Sequence, residues 1–270
     1  MRYVGRAIPA RAATARSLSE VSALVVLPTY QEAANVATVL EGLHATSPDT
    51  EVLVVDDASP DGTASIAQHT ADRLGGITVL RRSGKSGLGE AYRAGFAWGL
   101  QRGFEAMVEM DADLSHDPAD VTRLLRGLDD AELVIGSRYV PGGSIPAWGW
   151  HRRLLSVAGN RYSAAALGLG VRDLTSGFRA YRAEVLRALD LSRVRADGYA
   201  FQIEMAYRVS QQGGRIREIP IRFVDRTAGE SKMSMRIAGE ALLLVTGWGL
   251  RRVAGSATGA AQGVGQPEGR

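Results

Sequence analysis

Two carboxylates one residue apart, Asp111 and Asp113, stand in Met110-Asp-Ala-Asp-Leu-Ser-His116 at the foot of an apolar run. An acidic pair released where a buried strand meets a loop suits a hard divalent cation carrying phosphate oxygens. Mg²⁺, for example, is usually held by one or two carboxylates plus the phosphates of its substrate. Alone, the pair has a second reading, a solvated loop whose aspartates cap the next helix. The positions of the other polar clusters separate the two.

Five apolar, β-rich runs at 23–27, 52–55, 77–80, 106–110 and 133–135 alternate with helical spacing near 33–45, 62–74, 87–102 and 117–128. Continuous apolar strands separated by helices predict an α/β domain with a parallel sheet covered on both faces. Ligands of such sheets bind beyond the carboxyl ends of the strands. Each run leads directly into a polar or glycine-rich cluster. These are Pro28-Thr-Tyr30-Gln-Glu32, Asp56-Asp57-Ala-Ser59-Pro-Asp61-Gly-Thr63, Arg81-Arg82-Ser-Gly84-Lys85-Ser-Gly87-Leu-Gly89, Asp111-Ala112-Asp113 and Gly136-Ser-Arg138-Tyr139. Parallel strands open all five onto one rim, which favours the cation site. The first cluster has no glycine, which excludes a dinucleotide-binding turn. The early glycine that a P-loop ending in Gly84-Lys85-Ser86 requires falls on Val79. Asp61 or Ser59 suits a helix cap better than the adjacent Asp56 and Asp57 do.

Composition narrows the chemistry. With no cysteine in 270 residues, thiolate nucleophiles, disulfide frameworks and cysteine zinc sites are excluded. The net charge of +3 divides unevenly, −10 over residues 21–137 and +10 over 138–253. An acidic half able to hold a cation is followed by a basic half able to hold anions. The basic residues are spread through a folded pattern, not gathered in a run with aromatics, so nucleic acid is not expected. Only two of the 32 basic residues are lysines, Lys85 and Lys232, both in Gly/Ser-flanked loops suited to phosphate.

In the basic half, a loop bearing Trp148 and Trp150 precedes a helix at about 151–167. Arg152, Ser156 and Asn160 recur there every four residues, on one face. Beside Arg138 that face reads as an anion site, and the opposite face (Leu155, Ala158, Tyr162, Ala165) is apolar. A short strand follows Asp173, a helix opens at Gly198, and an alternating strand covers 215–224. A loop with Arg226 and Lys232 closes the catalytic unit, taken as 21–234. Residues 1–20 read as a basic flexible arm, 235–253 as an amphipathic helix and 254–270 as a disordered tail. The uncharged run at 241–250 is ten residues, against the roughly 20 that span a bilayer.

In this order the clusters resemble the inverting GT-A glycosyltransferases of family 2, above all the dolichol- or polyprenol-phosphate mannose synthases. The resemblance spans roughly 22–235. It rests on Pro-Thr-Tyr-x-Glu, Asp-Asp-x-Ser-Pro-Asp-Gly-Thr, Lys-x-Gly-Leu-Gly-x-Ala-Tyr, Asp-Ala-Asp-Leu-Ser-His, Gly-Ser-Arg-Tyr, Asp-Leu-Thr-Ser-Gly-Phe-Arg, Gly-Tyr-x-Phe-Gln-Ile-Glu and Arg-x-x-Gly-x-Ser-Lys. Each is weak alone; collinear, they are specific.

The resemblance implies a GT-A fold and transfer of mannose from GDP-mannose to a polyprenyl monophosphate, with Mg²⁺ or Mn²⁺. Pro28, Tyr30, Glu32, Val55 and Asp57 would line the guanosine site. Lys85, Asp111, Ala112 and Asp113 would face the donor, with Asp113 on the metal, and Arg226 and Lys232 would close over its diphosphate. Arg138, Arg152 and Ser156 would grip the acceptor phosphate. Members often carry Gln two residues after the second Asp; here that position is Ser115, a shorter metal ligand. The implied enzyme docks peripherally on the cytoplasmic face of a membrane through the Trp148/Trp150 loop and the last helix, with a membrane partner subunit as an open alternative. Glu204 would act as a base only for a hydroxyl acceptor. Two other readings are a UDP-sugar transferase making polyprenyl-phosphate glucose or N-acetylglucosamine, and a silent nucleotide- or lipid-binding subunit.

Overall fold

The computed structural model describes residues 22–225 and a helix over 235–261. Seven strands form one sheet: β1 (Ala23–Thr29), β2 (Glu51–Asp56), β3 (Ile77–Arg81), β4 (Ala106–Glu109), β5 (Leu133–Ser137), β6 (Arg179–Arg182) and β7 (Ile216–Pro220). Their order is β3-β2-β1-β4-β6-β5-β7. Only β6 is antiparallel, to both β4 and β5. Two reversals cancel, so β5 and β7 run with β1 to β4, and the five polar clusters share one rim as their spacing implies.

Helices α1 (Val36–Thr46), α2 (Thr63–Leu74), α3 (Leu88–Gln101), α4 (Asp120–Gly127), α5 (Trp150–Leu167), α6 (Ala183–Ala188), α7 (Gly198–Gln211) and α8 (Met235–Ala261) surround the sheet. Strand side chains alternate between its faces, which divides the core in two. Leu24, Val26, Leu53 and Val55 pack with Tyr92, Phe96 and Phe201, while Val25, Leu27, Val52 and Val54 pack with Leu40, Leu43 and Leu124. Close approach of α3 to β1 depends on Gly95, where an added Cβ would lie 2.3 Å from Val26 Cγ1.

Two boundaries differ from expectation. β7 ends at Pro220, and residues 221–225 turn back toward the site with only Arg222 bridged to Ser144. Pro cannot donate to a ladder, so the alternating pattern to Val224 overstated the strand. α8 continues to Ala261, past the expected end at 253 and into the expected tail. The added stretch, Ala-Gly-Ser-Ala-Thr-Gly-Ala-Ala, is rich in alanine, the best helix former, and carries no proline.

Candidate active site

The rim encloses a cavity of about 590 Å³, lined from β1 by Pro28, Tyr30 and Glu32, from β2 by Asp57, and by Lys85 beyond β3. Asp111, Ala112, Asp113 and His116 follow β4, Arg138 follows β5, and Arg152 lies on α5. The acidic pair and the two arginines expected to hold anions thus share one chamber.

The adjacent aspartates after β2 divide their work. Asp56 builds the loop: its carboxylate accepts from Thr29 Oγ1 at 3.1 Å, Ser59 Oγ at 2.6 Å and the Ser59 amide at 2.9 Å. Asp57 lines the cavity, held by Arg82 Nη1 at 2.6 Å and the Ser86 amide at 3.2 Å. Asp61 accepts from the Thr63 amide and hydroxyl and from the Ala33 amide, tying α2 to the loop after β1. Burial opposes ionisation of Asp61, and these hydrogen bonds outweigh it, so its pKa falls below the ordinary value. Lys85 Nζ sits 4.0 Å from the Tyr30 ring centroid, a cation–π contact at the cavity edge. Gly87 has φ +99°, and a Cβ there would lie 2.3 Å from Asp197 Oδ2. Asp197, itself a cavity residue, accepts from the Gly89 amide at 2.7 Å.

The acidic loop is tightly built. Leu114 has φ +64°, and the Ser115 amide donates to Asp113 Oδ1 at 3.0 Å. His116 Nε2 lies 3.4 Å from Asp111 Oδ2, with its ring stacked on Phe178 at 4.7 Å. Ser115 Oγ is buried with no hydrogen-bond partner among the described residues. Asp111 and Asp113, both at the cavity wall, are oxygen ligands suited to a hard divalent ion. Among the described residues no group of three or more acidic or histidine side chains could hold an ion unaided; the rest of its shell would come from a ligand. Behind the pair, burial pushes the Glu109 carboxyl up to about 7 despite the Arg179 guanidinium.

Arg138 is buried and clamped. Its Nε and Nη2 donate to the two Asp173 oxygens at 2.7 and 2.6 Å, and Nη2 also to Thr175 Oγ1 at 2.8 Å. Trp148, Tyr139 and Phe223 surround the guanidinium at 5.4–5.6 Å from their ring centroids. Arg152 lies 3.9 Å from the Trp148 ring centroid and 3.5 Å from Asp225.

The family model for glycosyl transferase family 2 matches residues 24–190, spanning all five rim clusters. The chain belongs to glycosyl transferase family 2. This family 2 chain is 50% identical over 227 residues to undecaprenyl-phosphate mannosyltransferase of Micrococcus luteus, covering 84% of the chain and 93% of that protein. It is 48% identical over 233 residues to polyprenol monophosphomannose synthase of Mycolicibacterium smegmatis, covering 84% and 87%. A mannosyltransferase of Pyrobaculum calidifontis, solved with GDP-Man and Mn²⁺, shares the fold at a TM-score of 0.56 and 20% identity, covering 94% of this chain and 79% of that one.

Five expected residues of the family 2 site stand elsewhere or outside the described residues. Ser115 is fully buried behind the acidic loop and does not line the cavity. Val55 is fully buried in the core and does not line the cavity, because it lies inside β2 and packs with Leu53, Tyr92 and Phe96, whereas Asp57 lies beyond the strand's end. Ser156 also lies off the cavity, accepting from Tyr139 Oη at 2.7 Å. Arg226 and Lys232 lie outside the described residues. Trp148, expected at a membrane, is part of the cavity wall, whereas Trp150 is exposed. Glu204 is not a cavity residue: it pairs with Arg208 and accepts from the Ala196 amide. Burial raises its pKa. Asp173, Asp197, Gln202 and Phe223 had no role assigned from sequence. Asp173 and Gln202 stand in recognisable motifs, but the Arg138 that Asp173 clamps is 35 residues away, and local pattern does not report that.

Proposed function

We propose that this chain transfers mannose from GDP-mannose to a polyprenyl monophosphate with inversion, making a lipid-linked mannosyl donor. One observation carries the reading: a single cavity brings Asp111 and Asp113 together with Arg138 and Arg152. The names of its relatives, half identical over most of the chain, support the choice of mannose and polyprenyl phosphate.

The acceptor phosphate has a second pKa near ~6 and is largely dianionic at neutral pH. It attacks the anomeric carbon without a general base. What it requires is cations that hold it at near-attack distance against a negative donor. Arg138 is aligned for this by Asp173, and Arg152 by the Trp148 ring. Arginine suits phosphate because its planar fork matches the oxygens. Displacement from the opposite face converts an α-mannosyl donor into β-mannosyl phosphate and expels GDP. Pro28, Tyr30, Glu32, Asp57 and Lys85 line the donor end of the cavity. Asp113 and Asp111 would hold Mg²⁺ or Mn²⁺, with Ser115 Oγ able to contribute directly or through water. Such an ion supplies positive charge to the leaving diphosphate. Arg226 and Lys232 are assigned to that diphosphate from sequence. The reaction belongs at the cytoplasmic face of a membrane, where nucleotide sugar and lipid phosphate meet.

The test is one incubation of the protein with GDP-mannose, polyprenyl phosphate and Mg²⁺ or Mn²⁺. A mannolipid should form and should be lost in Asp113→Asn with folding intact. Product from UDP-glucose or UDP-N-acetylglucosamine but not from GDP-mannose would overturn the reading.

A further inference from the structure

Along the rim the strands come in the order β3-β2-β1-β4-β6-β5. Lys85, Asp57 and Tyr30 follow the first three, the acidic pair follows β4 and Arg138 follows β5. Because β6 is antiparallel it begins at this rim, so Thr175-Ser176-Gly177 enters between the acidic pair and Arg138. All three residues line the cavity. Thr175 Oγ1 accepts from Arg138 Nη2 at 2.8 Å, and Gly177 faces Asp111. A sugar attacked from the Arg138 side, with its leaving group on the Asp111 side, lies across this segment.

Gly177 leaves room there. Its φ is not in the left-handed region, so the backbone does not require glycine. A Cβ at this position would first meet Asp111 Oδ2 at 3.6 Å, Asp111 Oδ1 at 3.7 Å and Gln202 Nε2 at 3.7 Å. These are ordinary contact distances, so a methyl group would fit, but it would take cavity space bordered by polar atoms.

Gln202, on α7, is 2% exposed and yet lines the cavity. Neither atom of its amide has a hydrogen-bond partner among the described residues. Glu109 lies close enough for the amide to favour its ionised form, but the two are not in hydrogen-bonding geometry. Asn160, a buried amide that braces the same segment, is by contrast saturated by Ser156, Thr175 and Leu174. A buried amide left unpaired is costly, and a ligand that pairs it removes that cost. Gln202 is also held in place. The fully buried Arg179 guanidinium donates to the Leu174, Ser176 and Gln202 carbonyls at 2.6, 2.7 and 2.7 Å, fastening the Gly177 segment to α7.

We propose that Gly177 and Gln202 form the subsite for the donor's sugar ring, with Gln202 as the residue that reads its hydroxyls. The ring lies over Gly177, in the space a side chain would fill, and the Gln202 amide hydrogen-bonds its hydroxyls. An amide both donates and accepts, which matches hydroxyls that do the same. A site built to hydrogen-bond a hydroxyl rejects an analogue that lacks it. This subsite rests on the proposed nucleotide-sugar donor and identifies what selects its sugar.

The experiment is titration calorimetry of the full chain with GDP and with GDP-mannose, in Mg²⁺ or Mn²⁺ and without acceptor. Gln202→Met should weaken GDP-mannose about three- to tenfold, the range of one neutral hydrogen bond. Gly177→Ala should weaken it as well, and both variants should bind GDP as the parent does. Of GDP-mannose analogues each lacking one ring hydroxyl, at least one should bind the parent less tightly than GDP-mannose, and Gln202→Met should erase that difference. Variants that bind GDP-mannose like the parent, or that lose GDP and GDP-mannose equally with melting unchanged, would overturn the proposal. So would a deoxy analogue difference that survives in Gln202→Met. A parent that binds UDP-glucose and not GDP-mannose would count against the proposed reaction; the subsite then stands if the variants weaken UDP-glucose but not UDP, and falls if they do not.

Discussion

Asp173 holds Arg138 by three hydrogen bonds, from the backbone amide at 2.9 Å, Nε at 2.7 Å and Nη2 at 2.6 Å. The carboxylate is itself oriented through its backbone, as the Asp173 amide donates to Glu218 Oε1 at 2.9 Å. Among the described residues Arg138 Nη1 makes no hydrogen bond, so it is the part of the fork left for a ligand in the cavity. Both groups are almost wholly buried, which makes the pair strong in geometry and costly to break.

Burial disfavours the Asp173 anion, and the Arg138 guanidinium outweighs it, leaving the Asp173 pKa below its ordinary 3.8. A depressed carboxylate contributes stability that is present above its unfolded pKa and lost as pH falls through the folded one. Thermal melts should therefore decline as pH drops below about 4. Asp173→Ala, which strands a buried cation, should cost ~3–5 kcal/mol at neutral pH.

Asp113→Asn keeps the oxygen that accepts from the Ser115 amide but removes the charge. Transfer activity should fall by about 10²–10³-fold, the range seen when one group stabilising transition-state charge is lost. The melting temperature should stay near that of the parent. Paired activity and Tm measurements check this.

Ser115→Ala should move stability and activity in opposite directions. Its hydroxyl is buried and unpartnered among the described residues, so its removal relieves a desolvation cost of about 1–3 kcal/mol and should raise Tm. If that hydroxyl serves the metal, the concentration of Mg²⁺ or Mn²⁺ needed for half-maximal activity should rise. Ser115→Gln should lower it again.

Glu204→Gln separates a structural carboxylate from a base. Loss of a general base costs roughly 10²–10⁴-fold in rate. Glu204 instead braces Arg208 and the Ala196 amide, so kcat should change by less than about threefold, far below that range. Chemical denaturation should show the loss of stability.

Much of the fold was legible because its signals are local. Continuous apolar runs ending in polar clusters identify parallel strands and their rim, and they put Tyr30, Asp57, Lys85, Asp113 and Arg138 on one side of the sheet. The limits appear where a side chain's direction depends on a distant neighbour. Val55 stands only two residues before Asp57, yet it lies inside β2 and packs in the core. Trp148 looked like a membrane anchor until Arg152, Arg138 and Phe223 closed around it.

Taken alone, the amino-acid order determined the family, the acidic pair and the separation of an acidic half from a basic half, because motif spacing and charge are properties of the chain itself. Tertiary structure decided how those halves meet. A single antiparallel strand, β6, sits between β4 and β5 and brings Arg138 to the rim that carries Asp111 and Asp113. It also reversed the meaning of α5, whose helical periodicity marked an apolar stripe without saying which side faced the protein. Asn160 settles that orientation: its amide bonds to the 174–175 loop turn the polar face inward and leave the leucines outside.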